Sequence, residues 1–293
     1  MHHGWKLQAR NRTFLLFVLP SLILVAFAFY GPFFMNVFYA FTNWNGIRKV
    51  PRFIGWENFV EMLSDGDFAA SVGFTAAFAV GFIVLCNVLG LALALFLDQK
   101  TKVAGGVRAA LFVPYILSLV IVGFIWSFLL GPGFASLAQS GWAFFQQDWL
   151  GDRNLNFFTV VLVSVWQAMG FYVVIYYAGL QSIPQELLEA AVIDGTGRWS
   201  RFRHIVLPLL VPSINSGVFF SLAASIRLYD VVVSLTRGGP GRATASVTFD
   251  IYSEAFFNNR YGYGSAKSLV LLVVVAAIAV VQLKLMKSRE VEA

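Results

Sequence analysis

The chain has 293 residues, of which 58% are hydrophobic and 12% charged, with a mean hydropathy of +0.73. Soluble domains carry about 25% charged residues, so an ordinary water-soluble globule is excluded, and a single cysteine, Cys86, excludes a disulfide framework and a cysteine-based metal site. The net charge of +6 acquires meaning only when it is divided between the two sides of a membrane.

A helix crosses the hydrocarbon core with about 20 apolar residues, so uncharged windows locate the spans. The run from Phe14 to Ile47 has no charge and predicts a first span near 14–38. It is long and lacks a small-residue cleavage site, which reads as a retained span and not a removed leader. Phe68–Leu97 predicts a second span near 72–97. Ala109–Gln147 is uncharged but contains Gly131-Pro132-Gly133, which is expected to break it and leave a third span near 109–130. Leu155–Gln185 and Ile205–Ile226 predict spans near 157–179 and 207–230. The last span is expected near 263–284, with Lys267 snorkelling toward the headgroups. The predicted organisation is a tail over 1–13, a six-helix membrane domain over 14–286 and a tail over 287–293.

Six spans place both termini on one side. With that side inside, it holds twelve Lys and Arg near span ends, against eight outside. The inner set includes Lys6, Arg10, Arg12, Lys100, Lys102, Arg108, Lys284, Lys287 and Arg289, and the segments that carry it are short. The positive-inside rule therefore places both termini in the cytoplasm. Segment 182–208, between the fourth and fifth spans, is then cytoplasmic as well.

That segment reads as two short helices joined by an elbow. Ser182 and Gln185 fit a capping box, with Pro184 tolerated in the first turn. Leu187, Ala190, Ala191 and Asp194 fall on one face. Gly195 and Gly197 allow a sharp turn with left-handed backbone. Arg198–Val206 resumes a helix, with Trp199, Phe202 and Ile205 as its apolar positions. The residues alone leave two readings open: a helix that docks into another protein, or a connector that packs on its own span ends.

Glu189-Ala190-Ala191, Asp194-Gly195, Phe202, Ile205 and Leu207-Pro208, at uninterrupted spacing, resemble the EAA signature of permease subunits in binding-protein-dependent ABC importers. Phe112–Tyr115 (FVPY), Gly179–Ala191, Tyr229–Thr244 and Tyr261–Ser268 are similar to further patterns of the carbohydrate branch, of the maltose-transporter MalF-like type. The resemblance implies an all-α membrane protein with six spans, the type I importer permease (MetI-like) fold and a cytoplasmic EAA coupling helix. It implies movement of a saccharide or related polyol across the cytoplasmic (inner) membrane by alternating access. The expected partners are a second homologous permease, a dimer of ABC ATPase subunits, an extracytoplasmic solute-binding protein, membrane lipid and the sugar, with no nucleic acid. Glu189 would be the polar anchor of the joint, Ala190 and Ala191 would give clearance, and Asp194 and Gly195 would shape the elbow. The chain has no Gly-x-x-x-x-Gly-Lys loop, so ATP and magnesium are expected on a separate ATPase and no cofactor on this chain.

Polar groups inside spans are expensive and mark a pathway or a helix contact. Asn87, Ser118, Gln167, Ser225, Arg227 and Asp230 qualify, with Tyr115, Trp166, Phe171, Tyr172 and Tyr229 as aromatic neighbours. In the substrate-binding example of the family, the site uses spans that match three segments here: the residues after FVPY, those around Trp166–Tyr172, and the turn before Leu228-Tyr229-Asp230. Ser225, Arg227 and Leu228 stand where the family example carries amides, which points to another substrate or to a site on the partner permease. Packing is the competing role for each, and Arg227 and Asp230, three apart, would neutralise each other on a helix face. The turn at Gly238–Gly241 is expected beneath the docked binding protein. An ion-coupled sugar carrier is the alternative, but it would need inverted repeats or mid-span acids, and Asp230 is the only acid within a predicted span. A membrane enzyme lacks a catalytic cluster, since the three histidines are His2, His3 and His204.

Overall fold

The computed structural model describes residues 3–98, 104–138 and 141–287, all of them helix, turn or loop apart from one isolated bridge between Thr42 and Phe53. Lys100, Lys102, Arg289, Glu290 and Glu292 lie outside the described residues. Among the described residues, five helices are long and apolar enough to cross a membrane, or six if one bent pair counts as a single span. The chain divides into two compact units, one of residues 1–64 with 251–272 and one of residues 65–250 with 273–293.

In the first unit, α1 (His3–Val25) passes through a π turn into α2 (Gly31–Ala40). Beyond it comes a short helix, α3 (Glu57–Leu63). The buried amide of Asn58 donates to the carbonyls of Ala40 and Thr42 at 2.8 and 2.9 Å and ties α3 to the end of α2. Lys267 does not snorkel. It is fully buried, its ammonium 3.7 Å from a Glu254 carboxylate oxygen and 4.5 Å from the centre of the Tyr263 ring. A lysine held dry needs a counter-charge, and Glu254 supplies it. Arg260 adds a second cation 4.2 Å over the same ring and bonds Glu61 at 2.5 Å.

The second unit is built on α4 (Gly66–Asp98) and, after α5 (Ala104–Ile116), α6 (Leu119–Phe128), α7 (Phe134–Leu137) and α8 (Ala143–Gln146), on α9 (Arg153–Gln181). Phe78, Phe82 and Cys86 of α4 meet Val160, Val165, Met169 and Tyr172 of α9 in its core. Two glycines set the approach. A Cβ on Gly90 would lie 2.8 Å from Tyr172 Cβ, and one on Gly170 would lie 2.6 Å from the Leu111 carbonyl oxygen, so larger residues would push these helices apart. Asn87 is absorbed by this packing: its amide donates to Ser221 Oγ at 3.0 Å and accepts from Tyr176 OH at 2.5 Å. Such interhelical bonds each contribute about 0.6 kcal/mol on average in membranes.

The third apolar stretch departs from expectation at both ends. Gly131-Pro132-Gly133 does not end the helix, because a π turn over Leu129–Gly133 absorbs the proline and helix resumes in α7. The break comes earlier, at Leu117–Ser118, three residues after Pro114, where Ser118 turns to ψ 134°.

After α9 come α10 (Gln185–Ile193), α11 (Arg198–Arg201), a π turn, α12 (Leu207–Leu209) and α13 (Val211–Ile226). The axis bends by 66° between Leu209 and Val211. Pro208 and Pro212 flank that point; each lacks an N–H and crowds the carbonyl four residues before it. Helix α13 ends at Ile226, short of the predicted Asp230, and is followed by α14 (Val247–Tyr252) and α15 (Tyr261–Lys287).

Candidate functional site

Two features of the second unit bear on function. The first is the hairpin formed by α10 and α11. Ser182 does not cap α10; it terminates α9, and its hydroxyl donates to the Gly179 carbonyl at 2.7 Å. Pro184 takes the N-cap position without a side-chain cap. The C-terminal end is a Schellman turn: Thr196 N–H reaches the Ala191 carbonyl and Gly195 N–H the Val192 carbonyl, each at 3.0 Å. Gly195 sits at φ +73°, where side chains are disfavoured. Gly197 has an ordinary φ of −68°, so only one of the two glycines carries the left-handed turn.

The hairpin has one face packed on the chain's own span ends and one left exposed. Leu188 and Phe202 pack against a cluster of Ala94, Tyr176, Leu180, Ile183, Val206 and Leu210, where α4, α9 and the hairpin meet. Ala191 is buried at 5% exposure, and its carbonyl accepts from the N–H and the hydroxyl of Thr196 in the turn. Glu189, Ala190, Asp194 and Gly195 are exposed, and Phe202, Ile205 and Leu207 are half-buried before the exposed Pro208. Beside them Ile193 and Trp199 stand open to 86% and 71%. The outer face therefore offers one carboxylate at Glu189, one at Asp194, and bare apolar side chains.

The second feature is a cavity of about 410 Å³ among α4, α5, α6, α9, α13 and the turn after α13. Tyr115, Gln167, Phe171, Arg227, Tyr229 and Asp230 line it. The break between α5 and α6 positions Tyr115, whose ring stacks on Phe171 at 5.4 Å. Gln167 holds the break together: its amide donates to the carbonyls of Tyr115 and Leu117 at 3.4 and 3.3 Å, which helix geometry leaves unpaired there. Because the helix ends at Ile226, Arg227 takes φ −85°, ψ 30° and is not on a common helical face with Asp230. Among the described residues no ion pair joins the two, and both are exposed.

Three predicted pathway residues are elsewhere. Ser225 is fully buried and donates to the Leu222 carbonyl. Trp166 packs edge-on against Trp126 at 5.5 Å, and Ser118 marks the α5–α6 break. Phe78, Phe82, Ser164 and Phe220 also line the cavity, and the four-residue spacing of Phe78 and Phe82 is the sequence signal for the first two. A space walled by aromatic faces and edged by a guanidinium, a carboxylate, an amide and hydroxyls can stack on and hydrogen-bond a polyhydroxylated ligand. Among the described residues no cluster of three or more His, Cys, Asp or Glu could hold a metal ion.

Residues 86–288 match the family described as the binding-protein-dependent transport system inner membrane component. The chain belongs to this family. It is a permease subunit, not a catalytic one, and its place is the inner membrane. The permease is 38% identical over 277 residues, 94% of each chain, to the probable starch degradation products transport system permease protein AmyD of Thermoanaerobacterium thermosulfurigenes. It is 35% identical to the multiple sugar-binding transport system permease protein MsmF of Streptococcus mutans, over 94% of this chain and 95% of that one. Its fold matches a bacterial alginate ABC transporter solved in complex with an alginate pentasaccharide-bound periplasmic protein, with a TM-score of 0.81 at 21% identity over 95% of both chains.

Proposed function

We propose that this permease carries an oligosaccharide or related polyol across the inner membrane by alternating access, and that the exposed face of the α10–α11 hairpin receives the drive. The observation that carries the reading is the two-sidedness of the hairpin. One side is keyed into the ends of α4 and α9 through Leu188, Phe202 and Val206, while Glu189, Asp194, Ile193 and Trp199 are left uncovered. A rigid element attached to the spans on one side and open on the other transmits force from a second protein. In this reading an ABC ATPase dimer grips the hairpin and holds ATP and magnesium, both termini are cytoplasmic, and a second homologous permease completes the path. An extracytoplasmic binding protein delivers the solute. The saccharide is supported by the starch-product and multiple-sugar relatives and by the aromatic and polar lining of the cavity.

Glu189→Arg tests the drive. The side chain is exposed, so insertion and helix packing should survive its replacement. Uptake by the reconstituted importer should fall at least tenfold, and stimulation of ATP hydrolysis by the loaded binding protein should disappear. Full uptake by the variant would remove the hairpin from the drive.

A further inference from the structure

The connection between α2 and α4 presents a surface that a water-exposed loop would not keep. Ile47, Val50, Phe53, Trp56, Val60 and Leu63 are each 65% to 90% exposed. They do not sit on slack chain. Asn43 N–H bonds the Arg52 carbonyl at 3.1 Å and Ile54 N–H the Phe41 carbonyl at 2.9 Å, closing a small hairpin. The Trp44 indole donates to the Arg48 carbonyl at 2.8 Å, and Asn45 Oδ1 accepts from the N–H groups of Ile47 and Arg48. Asn58 and Met62 of α3 face inward, buried to 5% and 7% exposure. Trp56, Val60 and Leu63 follow at four- and three-residue spacing and form a single outward stripe. The platform is built, and its apolar side is deliberately outermost.

Charge distinguishes the occupant. Arg48, Lys49 and Arg52 are exposed on the hairpin that leads into this stripe, and among the described residues none of them forms an ion pair, while of the two exposed acids of α3 Glu61 is taken up by Arg260 and Glu57 remains. Aromatic and aliphatic side chains edged by free cations are the composition of a segment lying in a bilayer interface, where Trp sits at headgroup depth and Lys or Arg meets lipid phosphate. Connectivity agrees. The segment joins two candidate spans, Phe14–Ala40 and Gly66–Asp98. Only Ser64 and Asp65 separate Leu63 from Gly66, the first residue of the second of these spans, a reach of at most roughly 10 Å.

We propose that residues 47–63 form an interfacial anchor on the membrane face opposite the N-terminus. Val50, Phe53, Trp56, Val60 and Leu63 enter the acyl boundary, and Arg48, Lys49 and Arg52 bind the phosphates of anionic phospholipid. The anchor fixes the outer end of α2 relative to the bilayer. It rests on the membrane location of the chain and is independent of the transported solute.

A spin label on Leu63→Cys tests it, with the full chain in nanodiscs of phosphatidylcholine alone or mixed with phosphatidylglycerol. The native Cys86 is fully buried and does not compete for the label. The expected result is a label several-fold more accessible to oxygen than to a water-soluble nickel chelate, and deeper when phosphatidylglycerol is present. Replacing Arg48, Lys49 and Arg52 together with Ala should abolish the dependence on phosphatidylglycerol, and a label on Val60→Cys should repeat the reading one turn away. A label freely reached by the nickel chelate in both lipids would overturn the proposal. So would a label shielded only when a solute-binding protein is added, which would assign the patch to that protein.

Discussion

Arg227 is the side chain on which substrate choice turns in the proposed path. Three residues from Asp230, it would be neutralised on a continuous helix; the end of α13 at Ile226 prevents that and leaves both groups on the cavity wall. A free guanidinium edging an aromatic cavity donates strong hydrogen bonds, and a bond to a charged group contributes about 1.5–3 kcal/mol. Arg227→Ala should therefore raise the KM for uptake at least about tenfold while the complex assembles normally, as transport assays beside size-exclusion profiles would show. Unchanged kinetics would assign Arg227 to packing. At this scale the sequence identifies residue types better than their partners. Gln167 stands out as a polar residue in a span, but its bonds go to two carbonyls some fifty positions earlier, exposed by a helix break that composition does not announce. Lys267 reads as a snorkelling cation because its counter-ion, Glu254, lies on a preceding turn outside the helix that carries the lysine.

At the scale of the element, the elbow between α10 and α11 separates conformational need from sequence pattern. Two glycines are close together, yet only Gly195 has a positive φ, and a Cβ would meet nothing within 4 Å at either position. Any effect of substitution is then a backbone effect. Gly195→Val should cost about 1–3 kcal/mol of local strain, loosen the Schellman turn and reduce coupling between hydrolysis and uptake, whereas Gly197→Ala should leave both unchanged. Equal behaviour of the two variants in a coupled ATPase and uptake assay would refute the assignment. The elements that sequence locates well are those governed by one strong requirement, such as the uncharged lengths of α4 and α9. Those it misplaces depend on competition. Pro132 is accommodated by a π turn, while the break appears at Leu117–Ser118, where Gln167 is available to satisfy the opened carbonyls.

At the scale of the molecule, the number of apolar windows and the EAA spacing make the family legible, because membrane thickness and a fixed motif leave few alternatives. The cavity is not legible in the same way, since its walls come from α4, α5, α6, α9, α13 and the turn after α13, brought together by close approaches at Gly90 and Gly170. The arrangement of the whole also carries a directional claim: charge counting puts the hairpin and both termini in the cytoplasm, and the proposed drive requires it. Ile193 offers the means to test that claim. It is 86% exposed at the end of α10, and the only native cysteine is fully buried, so an Ile193→Cys thiol would dominate labelling by a membrane-impermeant maleimide. The label should react in inside-out vesicles and fail to react in right-side-out ones, and assembly with an ATPase should protect it. Reaction from the outside would reverse the orientation and detach the hairpin from any ATP-driven partner, because hydrolysis and hairpin would then lie on opposite sides of the bilayer.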